Sequence, residues 1–370
     1  MQLKNILSLL TFCGFICIFP SCTEEALNSC QYDIQQMNSN IAQNIIVPNM
    51  QNFSAETKQL TQHAESFTTD VNIENFRALK GAFLNAYTAY QKISIYKFGP
   101  ATENGFSLRE RFNTFPTNVL AIEQNIEANV TDINSLYKTN VGFPAIEYLL
   151  YGTLEDGESD ILGFFNDATR KEYLKALVND LEQKTTIVAD AWQNEYGNFF
   201  ASSTGNAEGS ALHLLCNGFN EDYETLKNFK FKIPLGKFDG GVPQAQKAEA
   251  YYSNRSVSLA LIQLQSLHRL YKGNTDNNTT EKSLYDYLVC LNAGKDADGI
   301  LADVIDSQFQ LIEEKLSSLN DPFSEELENN TTAVDELHLE MQKLVPLIKR
   351  EMTSAFGVKI SYQDLSLIHI

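Results

Sequence analysis

The sequence predicts an all-α protein, and three observations support this prediction. Apolar side chains recur three or four residues apart in long segments at 72–95, 166–200, 250–272 and 331–355. Runs in which apolar and polar residues alternate are scarce, and the best candidate strand is the short stretch 230–234. The nine prolines fall mostly between the periodic segments, which leaves room for long helices. Antiparallel bundles are the natural packing of such helices.

Each of the four segments carries an apolar stripe on one helical face, with polar residues opposite. We expect these stripes to form the core of the protein. In chain order, they consist of Ile73, Phe76, Leu79, Phe83, Tyr87 and Tyr90; Tyr173, Leu174, Leu177, Val178, Leu181, Val188 and Trp192; Val257, Leu261, Leu264, Leu267 and Tyr271; and Leu337, Met341, Leu344, Ile348 and Met352.

A stretch of small residues divides the chain into two predicted domains. A chain of 370 residues is too long for one small core and suits about two domains. The stretch 202–209, with the sequence SSTGNAEG, follows a long periodic segment and is the strongest boundary signal. We therefore predict an N-terminal helical bundle over 35–202, a C-terminal helical bundle over 207–360 and a tail at 361–370.

The N-terminal residues 1–21 resemble the signal peptide of a bacterial lipoprotein. Lys4 supplies the positive charge, and the apolar run at 6–19 is too short to span a bilayer comfortably. Ser21 directly precedes Cys22, so we expect cleavage before Cys22 and acylation of its thiol. An ordinary signal peptide cut near Ser21 and an uncleaved anchor are the alternatives.

Acylation of Cys22 would attach the protein to a membrane, with residues 22–34 as a tether. Several acyl chains on one cysteine anchor a protein stably. We therefore predict an outer-membrane lipoprotein in the envelope of a Gram-negative bacterium, facing the periplasm or the cell surface. The first partner predicted for the chain is the membrane that holds this anchor.

The charge balance of the chain restricts the kinds of molecule that it can bind. The chain has 28 Lys and Arg residues against 47 Asp and Glu residues, which gives a formal net charge of −19. A nucleic-acid partner is excluded, since phosphate binding needs a cationic face. Electrostatic attachment to anionic lipids is disfavoured for the same reason. A hydrophobic fraction of 43% excludes global disorder.

Cysteine usage gives one structural expectation. Beyond the predicted anchor, Cys30, Cys216 and Cys290 remain, an odd number in an oxidising compartment. Cys216 and Cys290 lie in apolar helical contexts, where they could pair or stay buried as free thiols. We expect buried free thiols. The chain has no CxxC spacing, which argues against thiolate metal or redox chemistry.

The stretch 142–152, with the sequence GFPAIEYLLYG, resembles the motif of the imelysin-like family. That motif is GxHxxE at the start of a helix, followed by an apolar run. Further stretches similar to family sequences occur in the same order at 98–101, 112–126, 219–236 and 251–273. The resemblance implies an all-α fold of two bundle domains with a pocket near their interface. The family is catalogued among candidate metallopeptidases, and relatives are linked to bacterial iron uptake.

This sequence departs from the motif at its histidine. Gly142 and Glu147 match, but Pro144 stands where the family has His. His and Glu at i and i+3 share a helix face and can hold a transition metal or orient a water. Proline offers no ligand atom, although its ring suits a first helical turn. The loss of the motif histidine thus weakens the expectation that the protein binds iron or zinc as a cofactor. Glu147 is the one candidate ligand that remains.

Glu147 has two readings that the sequence leaves open. A carboxylate near a helix N-terminus interacts favourably with the helix dipole, by about 0.3–1 kcal/mol, which would make Glu147 structural. Alternatively, Glu147 lines a pocket. The five histidines of the chain show no metal-binding spacing, but folding could still bring His63 or His213 to Glu147.

Two further groups complete the candidate site. Ser253, Asn254 and Ser256 match a small polar cluster that the family carries at the start of a second-domain helix. Ser253 or Ser256 could cap that helix, or the helix start could face Glu147 and suit an anionic group. Arg109 is the third candidate, because cations are scarce here; it could pair with acids or line a pocket.

The resemblance and the replaced histidine together favour a non-catalytic binding or scaffold protein of the envelope, related to iron uptake. Its expected partners are envelope components of iron uptake, and we expect no catalytic residue. One alternative is a metal-dependent peptidase with Glu147 as base and an unrecognised ligand set. The other is a direct carrier of iron or haem that uses surface carboxylates and tyrosines.

Overall fold

The polypeptide folds into helices joined by short turns. The computed structural model describes residues 30–102, 107–152, 156–275, 281–294 and 299–362. These residues contain no β-strand, which confirms the all-α prediction. The predicted signal peptide, Cys22 and most of the predicted tether and tail lie outside the described residues. No helix in the described ranges is long and apolar enough to cross a membrane.

The helices range from single turns to more than six turns. The α-helices are α1 (Ile34–Asn40), α2 (Val47–Thr69), α3 (Ile73–Gln91), α4 (Leu108–Phe112), α5 (Val119–Glu127), α6 (Gly142–Tyr151), α7 (Glu158–Phe164), α8 (Ala168–Ala191), α9 (Gly197–Ser202), α10 (Ala211–Thr225), α11 (Ser256–Lys272), α12 (Leu284–Leu291), α13 (Leu301–Ser317), α14 (Phe323–Asn329), α15 (Thr331–Pro346) and α16 (Thr353–Ala355). Short 3₁₀ turns occupy Gly99–Thr102, Ile133–Ser135, Lys138–Asn140 and Ala245–Lys247.

Several of these helices run into π-helical segments without a break. The π-helical segments are Ile41–Ile46, Trp192–Tyr196, Leu226–Lys232 and Leu347–Met352. The third of them overlaps 230–234, so the candidate strand there is wrong. The alternation of charged and apolar residues is misleading at this position, because Lys230 and Phe231 are both buried inside a continuing helix.

In the first half of the chain, α2 packs against both α3 and α8. The predicted stripe of α3 faces this core, with the exception of Ile73, which begins the helix and is 39% exposed. Phe143 of α6 lies at the centre, where its ring stacks on Tyr87 with centroids 4.5 Å apart. It also contacts the rings of Phe53 and Phe83, so α6 is anchored in the aromatic core.

In the second half, α11 packs against α13, which in turn packs against α15. The predicted stripes of α11 and α15 are buried, apart from Leu261, which is half-buried. Tyr271 donates a hydrogen bond from its hydroxyl to the carbonyl of Ala302, 3.0 Å away. Helix α11 also contacts α3, so the two halves share a packed interface.

The described residues from Tyr32 onward form one compact unit. Residues 203–210 lie between α9 and α10 without regular structure, apart from a turn, as the loop signal predicted. The division into bundles over 35–202 and 207–360 stays a prediction.

The cysteines are partly as expected. Cys216 is a buried free thiol, which the apolar face of α10 encloses. Cys30 and Cys290 are disulfide-bonded, so the expectation of a free Cys290 is wrong. The two cysteines differ in burial, because Cys290 is only half-buried on α12 whereas Cys216 is fully buried on α10.

Candidate functional site

Helix α6 begins at Gly142, where the backbone requires glycine. Gly142 has a φ of +76°, and a Cβ there would lie 2.6 Å from the carbonyl oxygen of Arg111. It would lie closer still to the carbonyl oxygen of Phe112, so α6 starts tight against the end of α4. Pro144 is buried in the first turn of α6, where a missing N–H leaves no intrahelical bond unmade.

Glu147 is a buried carboxylate surrounded by hydrogen-bond donors. Its side chain is on the second turn of α6, and the residue is 2% exposed. Ser253 donates to Oε1 of Glu147 from its backbone N–H, at 2.7 Å, and from its hydroxyl, at 2.6 Å. The structure therefore brings Glu147 and Ser253 together. This agrees with the interpretation in which the serine cluster faces Glu147.

The pKa of Glu147 reflects this position. Burial raises it from 4.5 to about 7, the bonds from Ser253 oppose that rise, and the nearby charge of Glu249 adds to it. The helix-dipole reading of Glu147 is wrong, because the residue lies beyond the first turn of α6.

The N-terminus of α11 is capped from another part of the chain. The Asp321 carboxylate accepts hydrogen bonds from the backbone N–H groups of Val257, at 2.8 Å, and Ser258, at 3.1 Å. Neither Ser253 nor Ser256 makes a side-chain cap, so the capping reading of these serines is wrong. The free N–H groups at this helix start are thus already occupied by an internal anion.

The other two members of the serine cluster have separate roles. Asn254 is exposed and adopts a φ of +54°, which turns the chain into α11. Ser256 is buried, and its hydroxyl donates to the carbonyl oxygen of Glu249, 2.5 Å away. The cluster therefore shapes the segment that presents Glu249 and Ser253 to the interior.

Glu249 is the centre of a buried polar network that no sequence motif indicated. It is 1% exposed, and its Oε2 lies 2.5 Å from Nζ of Lys230. Its Oε1 accepts from Asn113, at 2.6 Å, and from Gln91, at 3.0 Å. Burial lowers the pKa of Lys230, and the adjacent Glu249 charge opposes that shift. A buried pair with these extra hydrogen bonds is costly to break from one side.

A cavity of about 530 Å³ opens beside this network, between α3 and α4 on one side and α10 and α11 on the other. Its floor consists of buried polar residues, among them Gln91, Asp222 and Gln263. Tyr137, at the opening, is 68% exposed. A volume of this size is typical of a small-molecule site.

Arg109 lines this cavity and also pairs with an acid, so both readings of it hold. Its Nη1 lies 3.3 Å from Oε1 of Glu221, which is also paired with Lys97. The guanidinium lies over the ring of Phe229, 5.9 Å from its centroid. Arg109 is thereby held in place at the wall of the cavity.

The predicted motif lies next to the cavity and does not form its wall. Pro144 and Glu147 are not among the residues that line it. Glu249 joins the two regions, because it influences the pKa of Glu147 and bonds to Gln91 and Asn113, which do line the cavity. The cavity therefore lies next to the motif, and the interpretation of Glu147 as a residue that lines a pocket does not hold for this cavity.

The residues around Glu147 do not fit a metal centre. The backbone N–H and the hydroxyl of Ser253 donate to Oε1 of its carboxylate, and Pro144 offers no ligand atom. His213 makes its hydrogen bond elsewhere, where its Nδ1 accepts from the N–H of Gly209, 3.3 Å away, and no hydrogen bond joins it to Glu147 within the described residues. In the part of the chain that the structure describes, no group of three or more His, Cys, Asp or Glu residues is placed to hold a metal ion.

The cavity floor has a sequence signal that lies outside the family motif. Leu215, Phe219, Asp222, Leu226 and Lys230 follow one another at spacings of 4, 3, 4 and 4 residues. Two charged residues thus fall on the apolar face of a helix, where a charge is costly unless it is paired or functional. Charges at these positions of an apolar stripe are typical of a buried polar site.

Comparison with known proteins places this fold. No curated protein sequence matches the chain. A solved structure from Parabacteroides distasonis, named as a candidate iron-regulated protein A precursor, is similar with a TM-score of 0.73 and 16% identity. The alignment covers 87% of this chain and 95% of that one. An imelysin-like protein from Psychrobacter arcticus has a TM-score of 0.67 and 18% identity, with 89% and 97% covered.

The family comparison extends over most of the chain. The two structural likenesses show a shared helical fold at low identity. The family model described as Imelysin, one of the peptidase families, matches residues 46–349. That range contains the motif at 142–152, the serine cluster and every residue of the cavity floor. The chain belongs to the imelysin family.

Proposed function

We propose that this chain is a non-catalytic binding protein of the bacterial cell envelope that serves iron acquisition. The observation that carries the proposal is the cavity of about 530 Å³ with a buried polar floor, next to a buried motif carboxylate whose Oε1 accepts two hydrogen bonds from Ser253. Membership of the imelysin family and the name of the Parabacteroides relative support the link to iron.

The surroundings of Glu147 favour binding over cleavage. A general base must reach the proton that it abstracts, at hydrogen-bond distance or through one water. Glu147 is 2% exposed, does not line the cavity, and accepts two bonds from Ser253 on Oε1. A carboxylate in this position stabilises the contact between α6 and the segment before α11, and it does not face a substrate.

The proposed location follows from the N-terminal residues. Acylation of Cys22 would tether the helical unit to the outer membrane, where it could act beside envelope components of iron uptake. Lys4, the apolar run at 6–19 and the Ser21–Cys22 pair support this proposal. Mass spectrometry of the protein from a native-like host, before and after mild base hydrolysis of its ester-linked acyl chains, tests it.

The competing function is a metal-dependent peptidase, which the peptidase classification of the family favours. Metal analysis and a proteolysis assay of the purified mature protein distinguish the two. We expect substoichiometric zinc and iron and no cleavage of an unfolded polypeptide such as casein. Stoichiometric metal that is lost on Glu147→Ala, together with casein cleavage, would show that the protein is an enzyme. The matched control is Glu127→Ala, which removes an exposed carboxylate from α5.

The role in iron acquisition needs its own experiment. We expect a deletion strain to grow more slowly than the parent on iron-limited medium, and to recover when the gene or an iron salt is supplied. Equal growth of the two strains under iron limitation would contradict the role. Titration of the purified protein with ferric and ferrous salts addresses the carrier alternative, which saturable binding of the bare ion would favour.

A further inference from the structure

The floor of the cavity contains a buried carboxylate that only neutral groups contact. Asp222 is 2% exposed. Its Oδ2 accepts hydrogen bonds from Nε2 of Gln263, at 2.8 Å, and from the hydroxyl of Ser94, at 3.2 Å. Both donors bear no charge, and both hydrogen bonds reach the same oxygen. Within the described residues, Asp222 forms no ion pair, and its Oδ1 is left for a further donor.

The cations nearest to this carboxylate already form ion pairs with other acidic residues. Lys230 pairs with Glu249 at 2.5 Å, and Arg109 lies 3.3 Å from Glu221. Glu221 also pairs with Lys97, so Arg109 and Lys97 share one carboxylate. In the described residues, no cation lies at ion-pair distance from Asp222. Burial raises the pKa of its carboxyl, and the charges of Arg109 and Lys230 oppose that rise from farther away.

A second acceptor lies beside Asp222 at the same floor. Gln263 is 2% exposed and lines the cavity, and its Oε1 has no hydrogen-bond partner among the described residues. The orientation of this amide is fixed by Asp222, because a carbonyl oxygen turned toward the carboxylate would place two acceptors together. A buried acceptor without a donor loses free energy, so the floor lacks a hydrogen-bond donor.

The walls of the cavity suit the apolar part of a cationic ligand. Tyr90 lines the inner part, and Phe115 and Tyr137 line the part nearer to solvent. Aromatic faces attract ammonium groups and also pack against hydrocarbon. Tyr137 is 68% exposed, so its ring is free to cover a bound molecule at the opening.

We propose that the cavity binds a small organic molecule through a protonated amine, which donates to Oδ1 of Asp222 and Oε1 of Gln263. An ammonium group brings the positive charge and the several N–H donors that the two acceptors lack. Its hydrocarbon part lies against the aromatic walls. This inference rests on the proposed function as a binding protein and names the chemical class of its ligand.

The test compares amines with neutral molecules of the same shape. Isothermal titration calorimetry is run with 2-phenylethylamine and with hexane-1,6-diamine, each beside its alcohol counterpart, 2-phenylethanol or hexane-1,6-diol. We expect saturable binding of at least one amine at a single site, and binding of its alcohol weaker by tenfold or more. Failure of both amines to bind, or equal binding of amine and alcohol, would overturn the proposal.

Variants locate the binding at the cavity floor. Asp222→Asn keeps the size of the side chain and removes its charge, and we expect it to weaken amine binding by tenfold or more. Glu110→Gln removes an exposed carboxylate from the rim of the same cavity and should leave binding within about twofold. Unchanged amine binding by Asp222→Asn would contradict the proposal.

A second variant keeps the test decisive if Asp222→Asn does not fold. Gln263→Met has a similar volume but no acceptor, and we expect it to weaken amine binding several-fold while Asp222 is intact. Equal affinity of wild type and Gln263→Met for the amine would count against the assigned contacts. These results are independent of metal content and casein cleavage. A failure of amine binding would therefore overturn this inference, whereas the proposed function is tested by its own measurements.

Discussion

At the scale of single residues, two positions of the family motif have different roles in this structure. One carries proline and the other carries glutamate. Pro144 adopts the first-turn position for which proline is suited, and it contributes packing alone. Glu147 keeps its carboxylate but directs it to Ser253, 2.7 Å from the backbone nitrogen. The motif glutamate thus contacts a serine from another segment of the chain, and no histidine lies at the motif position beside it.

The titration of Glu147 predicts a pH dependence of stability. Its pKa is raised from 4.5 to about 7, so between these values the native chain holds a proton that the unfolded chain has released. The free energy of unfolding therefore falls as the pH rises through this window. Glu147→Gln removes this slope, and the stability difference between wild type and variant should change by about 3 kcal/mol between pH 4.5 and pH 8. Urea denaturation followed by far-UV circular dichroism measures both proteins.

The control for this prediction is an exposed glutamate. Glu127→Gln alters a solvated side chain of α5, and its stability should follow the wild-type pH profile within about 0.5 kcal/mol. Parallel pH profiles for wild type and Glu147→Gln would show that Glu147 titrates in the folded protein as it does in the unfolded chain.

Residue patterns predicted part of this site. Sequence spacing placed Glu147 on a helix, and the resemblance to the family suggested that the serine cluster could face it. It could not show that Ser253, rather than a histidine, would supply the contact, because 106 positions separate the two residues. Asp222 and Lys230 were detectable as charges on an apolar helical face. The sequence could not show that Lys230 forms an ion pair, because its partner Glu249 comes from another segment.

At the scale of elements, the long amphipathic helices were predictable and their ends were not. The stripes of α3 and α8 are buried as expected, apart from Ile73 at the start of α3, because the 3.6-residue period is set locally. The start of α11 depends instead on Asp321, a residue outside that helix. The same limit explains the error at 230–234, where tertiary burial of Lys230 and continuation of the helix override a short alternating pattern.

The cap of α11 predicts the effect of one substitution. Asp321→Ala removes a carboxylate that accepts from the N–H groups of Val257 and Ser258 and from the hydroxyl of Ser258. Loss of such a cap costs about 1–2 kcal/mol, since buried donors lose their acceptor and the helix dipole loses its anion. Urea denaturation at pH 7 should show this loss. Glu325→Ala, an exposed carboxylate of α14, is the control and should change stability by less than about 0.5 kcal/mol.

At the scale of the whole molecule, polar contacts cross between the two halves of the chain. Ser253 bonds to Glu147, Glu249 bonds to Gln91, and Asp222 accepts from Ser94. Each contact joins residues more than 100 positions apart and is largely shielded from water. We infer that the predicted bundles 35–202 and 207–360 unfold together, although the small-residue stretch at 202–209 would permit separate domains.

The single tryptophan of the chain makes this inference measurable. Trp192 is fully buried in the first half, so its fluorescence reports unfolding there, whereas Asp321 caps a helix in the second half. In a cooperative unit, a destabilising change anywhere moves every probe equally. Asp321→Ala should therefore shift the urea midpoint of Trp192 fluorescence and of far-UV circular dichroism by the same amount. A fluorescence midpoint that stays at the wild-type value while the dichroism midpoint falls would show two domains that unfold independently.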